Sequence, residues 1–183
     1  APGTPLAGGD FTLIDSAVVN GISRWAGTAW SGIGDGGAGV GDYLDPDATD
    51  LEVSALALRS NGDVMAAGTF RSAGSAAVQR MARWDGALWH WLEGTSEAGA
   101  TLAAMAADGS GNVYLGGTFT SMGSASASNV ARWNGSAWSA MGSGTNGGVT
   151  SASTDPDGVL YVAGQFSTAG GVSAANVAAW DGS

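Results

Sequence analysis

The chain has 183 residues, 44% apolar and only 12% charged, with six arginines, no lysine, sixteen acids and a formal net charge of −10 at pH 7. Such a balance offers no basic footprint for a phosphate backbone or an anionic bilayer, so nucleic acid and membrane surfaces are excluded as expected partners. Without cysteine there is no disulfide, thiolate nucleophile or Cys-based zinc site, and no apolar run approaches the length of a membrane span.

The N-terminal Ala1-Pro2-Gly3-Thr4-Pro5 lacks the charged and apolar regions of a signal sequence and suits a mature end left after cleavage. The first predicted strand, Pro5 to Phe11, contains Gly9-Asp10-Phe11, and fourteen residues after Phe11 stands Trp25. The same arrangement returns as Gly68-Thr69-Phe70 with Trp84, Gly117-Thr118-Phe119 with Trp133, and Gly164-Gln165-Phe166 with Trp180, always at an offset of 14. A second tryptophan follows five residues later at Trp30, Trp89 and Trp138. The Phe markers lie 59, 49 and 47 residues apart. A fixed period of that length marks a repeat architecture and suits a four-stranded propeller blade better than a leucine-rich or ankyrin unit.

The repeat divides the chain into units of about residues 5–50, 51–100, 101–148 and 149–183, with an acidic insertion at 34–52. In the second unit, strands are expected from Val53 to Leu58 and from Val64 to Phe70 around the turn Ser60-Asn61-Gly62-Asp63. The third unit places them from Leu102 to Ala107 and Val113 to Phe119. They flank Asp108-Gly109-Ser110-Gly111-Asn112. A second hairpin then runs from Asn129 to Trp133 and from Trp138 to Met141 through Asn134-Gly135-Ser136. The fourth unit follows with Val149 to Thr154, Val159 to Phe166 and Val177 to Trp180 around Asp155-Pro156-Asp157-Gly158. Asn, Asp and Gly at these loops supply the positive φ angles and local side-chain bonds of tight hairpins. In Val113-Tyr114-Leu115 and Val159-Leu160-Tyr161-Val162 adjacent residues are all apolar or aromatic, so both faces of those strands ask for cover. Helix signals are nearly absent, and the expected fold is all-β: a single repeat domain of four-stranded antiparallel propeller blades, about 3.5 of them.

A strand ending in a Gly-Gly-like pair, then an aromatic, then a tryptophan opening the last strand resembles kelch-like and galactose-oxidase-type β-propeller repeats. The matching residues are Gly116-Gly117, Trp133 and Trp138, with Ala67-Gly68, Trp84 and Trp89 one unit earlier. The Gly-x-Phe and Ala-Arg-Trp-Asn/Asp-Gly segments also resemble repeats of bacterial cell-surface propellers and of fungal cell-polarity surface proteins. With kelch strand labels carried over, the units hold three, four, four and three strands, fewer than the six or seven blades that the resemblance implies. An unclosed ring leaves exposed faces and edges, so self-association or further blades are expected. Low charge, no lysine and abundant Gly, Ser, Thr and Ala suit a secreted or cell-surface protein, as the resemblance implies.

Each candidate for chemistry has a plain alternative. Asp42, Asp45, Asp47 and Asp50 in the insertion, beside Tyr43, are the sort of clustered carboxylates that Ca²⁺ takes. Their spacing departs from the EF-hand pattern, and a solvated loop or a contact with a neighbouring chain is the simpler reading. The turn acids Asp108, Asp155 and Asp157 suggest a row of calcium loops or, more simply, turn caps. Phe11, Trp25, Trp30, Phe70, Trp84, Trp89, Phe119, Trp133, Trp138, Phe166 and Trp180 hold repeat positions and are expected to pack between sheets. Trp91 alone is out of register and, with His90, is the candidate exposed aromatic contact for a cell-surface glycan or protein. Arg24, Arg83 and Arg132 precede the repeat tryptophans, where they would lie over an aromatic face or bond a turn carbonyl. Asn134-Gly135-Ser136 is formally a glycosylation sequon, but its sister turns Asp85-Gly86-Ala87 and Asp181-Gly182-Ser183 make it turn chemistry. One histidine and no cysteine leave neither the copper site of a galactose oxidase nor a recognisable catalytic triad. The expected function is therefore a non-catalytic structural or adhesive module without a cofactor, with a glycan-binding propeller and a propeller domain of a secreted enzyme as the alternatives.

Overall fold

The computed structural model describes residues 4–34, 39–41, 51–94 and 97–182, and every described element is a β-strand. The chain divides into two units, Ala1–Leu56 with Asp63–Leu92 and Ala57–Gly62 with Glu93–Ser183.

The first unit holds a three-stranded antiparallel sheet of Leu6–Gly8, Ile22–Trp25 and Trp30–Gly32, and a four-stranded sheet of Val53–Leu58, Val64–Gly68, Met81–Trp84 and Trp89–Trp91. Sequence-adjacent strands are neighbours in both sheets, as short Gly-centred turns require. Ile22, Val53, Val64, Ala66, Phe70, Ala82 and Trp89 are buried in one core between them, with Leu6, Leu56 and Trp84 packed against it. The second unit repeats the plan: Thr101–Ala107, Val113–Thr118, Val130–Trp133 and Trp138–Ala140 form four strands, and Val149–Thr154, Leu160–Gly164 and Val177–Trp180 form three. Tyr114, Val130, Met141, Val149, Leu160, Val162 and Phe166 are its shared core. Sheets of three, four, four and three strands match the propeller-blade expectation, and Val113, Tyr114 and Leu115 are buried on both faces. The fourth sheet departs from it. Leu160 and Val162 are buried while Tyr161 is 44% exposed, so one face of this sheet is open where the all-apolar run asked for cover.

One element was not anticipated. Between the second and third strands of every blade lies a hairpin of two-residue strands: Leu13–Ile14 with Ala17–Val18, Ser72–Ala73 with Ala76–Ala77, Ser121–Met122 with Ala125–Ser126, and Thr168–Ala169 with Val172–Ser173. Its turn starts four residues after each Phe, at Asp15, Gly74, Gly123 and Gly170, all with φ between 52° and 61°. Only Gly and Asx residues adopt that left-handed conformation at little cost, so the recurring Gly or Asp was the missed signal.

The insertion is interrupted by one element of the repeat. Val40–Gly41 is a strand paired with Ser72–Ala73, and Val40 is buried. Val40 faces Ala73 as Thr145 faces Ala169 in the last blade, so this short strand belongs to the repeat. Val40 stands ten residues after Trp30 where Thr145 stands seven after Trp138, and thirteen before Val53 where Thr145 stands four before Val149, so the extra length lies on both sides of it.

Candidate functional site

The repeat tryptophans make the most regular constellation. Trp25 is register partner of Trp30, Trp84 of Trp89, and Trp133 of Trp138. Their ring centroids lie 5.5, 5.6 and 5.5 Å apart at interplanar angles of 61°, 53° and 50°. The five-residue spacing is thereby explained: a tight turn with positive φ at Gly27, Gly86 or Gly135 reverses the chain and sets the two indoles side by side. Asp85 and Asn134 cap two of these turns, Asp85 Oδ1 accepting from the amides of Ala87 and Leu88, Asn134 Oδ1 from those of Ser136 and Ala137. The Asn134 side chain thus has the turn role expected of it.

In two of the pairs the second indole also reaches backwards along the chain. Trp138 Nε1 donates to the Glu93 carbonyl at 2.7 Å, and Trp89 Nε1 to that of Ile33 at 3.4 Å. Each bond joins the last strand of one blade to the loop that follows the last strand of the blade before it. Phe70, Phe119, Phe166, Trp89, Trp133 and Trp138 are buried as expected, whereas Phe11, Trp25, Trp30, Trp84 and Trp180 are half-buried.

Two of the arginines need a correction, because the partners of Arg83 and Arg132 are side chains of the first hairpin rather than aromatic faces or turn carbonyls. Arg83 Nη1 pairs with Asp63 Oδ2 at 2.9 Å, and Arg132 Nη2 donates to Asn112 Oδ1 at 3.0 Å. Asp63 and Asn112 both follow the turn glycine of the first hairpin. The fourth blade has Val159 and Ala179 at these two places, so both partners change together. Asp63 is only 5% exposed. Arg83→Ala should therefore cost about 1 to 3 kcal/mol by leaving a buried carboxylate without its ion pair, and adding Asp63→Val should recover most of the loss. A double-mutant cycle in urea measures that coupling, and additive losses would contradict the pairing.

Two of the three turn acids, Asp108 and Asp155, serve as caps. Asp108 accepts from the Asn112 amide and side chain and from the Tyr114 hydroxyl, and Asp155 from the amides of Asp157 and Val159 and from the Tyr161 hydroxyl. Burial pushes the Asp108 carboxyl up, but the bonds from Asn112 and Tyr114 outweigh it and hold it below its ordinary value. The Tyr114 hydroxyl is raised, by burial and then by Asp108. Glu97, half-buried, accepts from the Thr120 and Ser121 hydroxyls and the Thr120 amide, which lower it to about 2. Carboxyls depressed by folding stabilise fully above their unfolded values near 4, and the contribution vanishes as pH falls through the folded values. Thermal melts should thus be flat from pH 7 to about 5 and fall steadily below pH 4, less steeply in Asp108→Asn.

Of the candidate contact residues, Trp91 is 55% exposed although Trp89, two residues away, is buried. His90 lies beside it, with Nε2 facing Asp85 Oδ2. Asp42, Tyr43, Asp45, Asp47 and Asp50 lie outside the described residues. Among the described residues no group of three or more His, Cys, Asp or Glu is placed to hold a metal. A groove of about 360 Å³ opens in the second unit, lined by Val130, Met141, Leu160, Val162, Ala178 and Trp180. Sequence reading had no means to find it, since its walls come from strands of two blades.

The model of one family, described as a domain of unknown function (DUF5122) beta-propeller, matches residues 156–178. No curated protein matches the chain. Among solved structures the chain is similar to one titled "YCF48 bound to D1 peptide", with 13% identity and a TM-score of 0.35 over 87% of this chain and 63% of that one. The chain therefore spans less than two thirds of that protein's length. Blades of antiparallel strands, repeated Trp pairs and the matched propeller segment together make this an all-β protein of propeller type.

Proposed function

We propose that this chain is a non-catalytic structural or adhesive module of an exported, surface-located protein, kelch-like in its repeat, whose sheets associate with further blades or further copies. The observation that carries this reading is the set of large apolar side chains left exposed on the hairpins of the first two blades. Leu13, Val18 and Leu88 stand 56%, 63% and 54% exposed. Exposed apolar surface of this kind marks sites of association. The test is the native mass at micromolar concentration, by sedimentation or light scattering. Assemblies well above 17.9 kDa are expected, and a strictly monomeric species would overturn the reading.

A second reading rests on Trp91. An exposed indole beside a histidine suits stacking on a sugar ring, so a glycan-binding role predicts carbohydrate-array binding that Trp91→Ala abolishes.

A further inference from the structure

Four Asn-Gly pairs stand in the chain, at Asn20, Asn61, Asn134 and Asn146. In such a pair the glycine amide nitrogen can close a five-membered ring on the carboxamide carbon, because glycine puts no Cβ in the way. The fold treats the four differently. Gly21 N–H donates to the Phe11 carbonyl at 2.6 Å and Gly62 N–H to that of Arg59 at 2.9 Å, so two of the nucleophiles are engaged. At Asn146 the carboxamide is turned to the following blade: Oδ1 accepts from the Ser167 and Thr168 amides, and Nδ2 donates to the Ser167 hydroxyl. Asn134 folds back along its own glycine. Its Oδ1 accepts from the Ser136 amide at 2.9 Å, the Ser136 hydroxyl at 2.9 Å and the Ala137 amide at 3.0 Å. Gly135 is exposed, and its N–H makes no hydrogen bond among the described residues. A cation stands beside it. The Arg59 guanidinium, held by a 2.9 Å bond from Nε to the Gly111 carbonyl, lies so near that a Cβ on Gly135 would meet Nη2 at 3.2 Å.

We propose that Asn134 is a self-modification site, at which the folded turn converts the asparagine through a succinimide into an acidic residue with water as the co-reactant. Gly135 N gives up its proton and bonds to Asn134 Cγ. The negative charge that develops on Oδ1 is met by the three donors already directed at it, as in an oxyanion hole. Arg59 favours the anionic form of the attacking nitrogen. The Cγ–Nδ2 bond then breaks, and Nδ2 leaves as ammonia with the proton that Gly135 gave up. Water opens the ring at Cγ to give aspartate, or at the main-chain carbonyl to give the isoaspartyl isomer, and either product adds one negative charge. The sister turn shows that aspartate fits, since Asp85 Oδ1 accepts from the Ala87 and Leu88 amides at 2.9 Å. The isoaspartyl form instead lengthens the backbone by one atom between Trp133 and Trp138, which are register partners, and so disturbs the indole pair.

The test is incubation of the whole chain at mildly alkaline pH, followed by peptide mapping in the mass spectrometer and by ion exchange. A gain of one mass unit and one negative charge is expected first at Asn134, with Asn20, Asn61 and Asn146 about tenfold slower. Ser136→Ala removes one donor and should slow the conversion about fivefold. Arg59→Gln should slow it as well, in protein whose melting temperature matches the parent. In a free peptide of residues 131–141 the Ser136→Ala change should leave the rate unaltered, because no fold sets the donor there. Conversion at another of the four pairs as fast as at Asn134, an unchanged rate in either variant, or the same response to Ser136→Ala in the free peptide would each overturn the proposal. Comparison of the four pairs in the parent protein decides the matter even where a variant fails to fold.

Discussion

Replacing Gly117 by alanine should be among the most damaging single-methyl changes in the chain. A Cβ at Gly117 would sit 2.0 Å from the Thr101 carbonyl oxygen and 2.9 Å from its carbon, and both are backbone atoms of the neighbouring strand. No rotamer change relieves such an overlap, so the sheet itself must part. Gly68 and Gly164 stand in the same place, 1.8 Å from Glu52 O and 2.1 Å from Gly148 O. The glycine of the last three Gly-x-Phe segments thus marks close backbone approach at the start of the first strand, where the ladder carries a register shift in the third and fourth blades. Overpacking of this kind costs about 3 kcal/mol, which in a chain of this size is a fall of roughly 6 to 12 °C in melting temperature. Gly9 is the internal control. Its nearest atoms are those of the half-buried Phe11 ring, a side chain rather than backbone, at 3.0 Å or more, so Gly9→Ala should shift the melt by only a degree or two. Similar losses at Gly9 and Gly117 would show that the clash does not govern the motif.

That comparison shows what kind of information the repeat carried. The blade strands were legible because each is an apolar run bounded by Asn, Asp and Gly. Val53–Leu58, Val149–Thr154 and Val177–Trp180 fall where the pattern places them. The short hairpins after each Phe were not, because two-residue strands such as Ser121–Met122 are too short for alternation to register. Their sign was a single recurring Gly or Asp. The Arg83 and Arg132 partners were hidden for another reason. The bonds run sideways between strands 20 residues apart, and only the joint change to Val159 and Ala179 in the fourth blade betrays them. The candidate site was least legible of all. A groove shaped by two blades has no local motif, whereas the exposed Trp91 could be picked out because it breaks the register that the other tryptophans keep.

The register-keeping tryptophans give the second large effect. Trp133 is 9% exposed and packs against Trp138 at a centroid distance of 5.5 Å, in the middle of the third blade. Burial of an aromatic of 150 to 250 Å² contributes roughly 4 to 6 kcal/mol before entropy, and Trp→Ala in a core costs about 3 to 5 kcal/mol once the cavity is counted. Trp133→Ala should accordingly unfold its blade well below the parent melting temperature. A melt within a degree or two of the parent would sink the packing assignment. Phenylalanine separates packing from polarity. Trp133 Nε1 is buried and has no hydrogen-bond partner among the described residues, so Trp133→Phe removes an unsatisfied donor along with some ring area. Trp138→Phe forfeits the 2.7 Å bond to Glu93 O and leaves that carbonyl without the indole donor. Trp138→Phe should therefore be the more harmful of the two, by about 1 kcal/mol in matched urea melts. The reverse order would mean that the bond to Glu93 does not help to hold the third blade to the loop that precedes it.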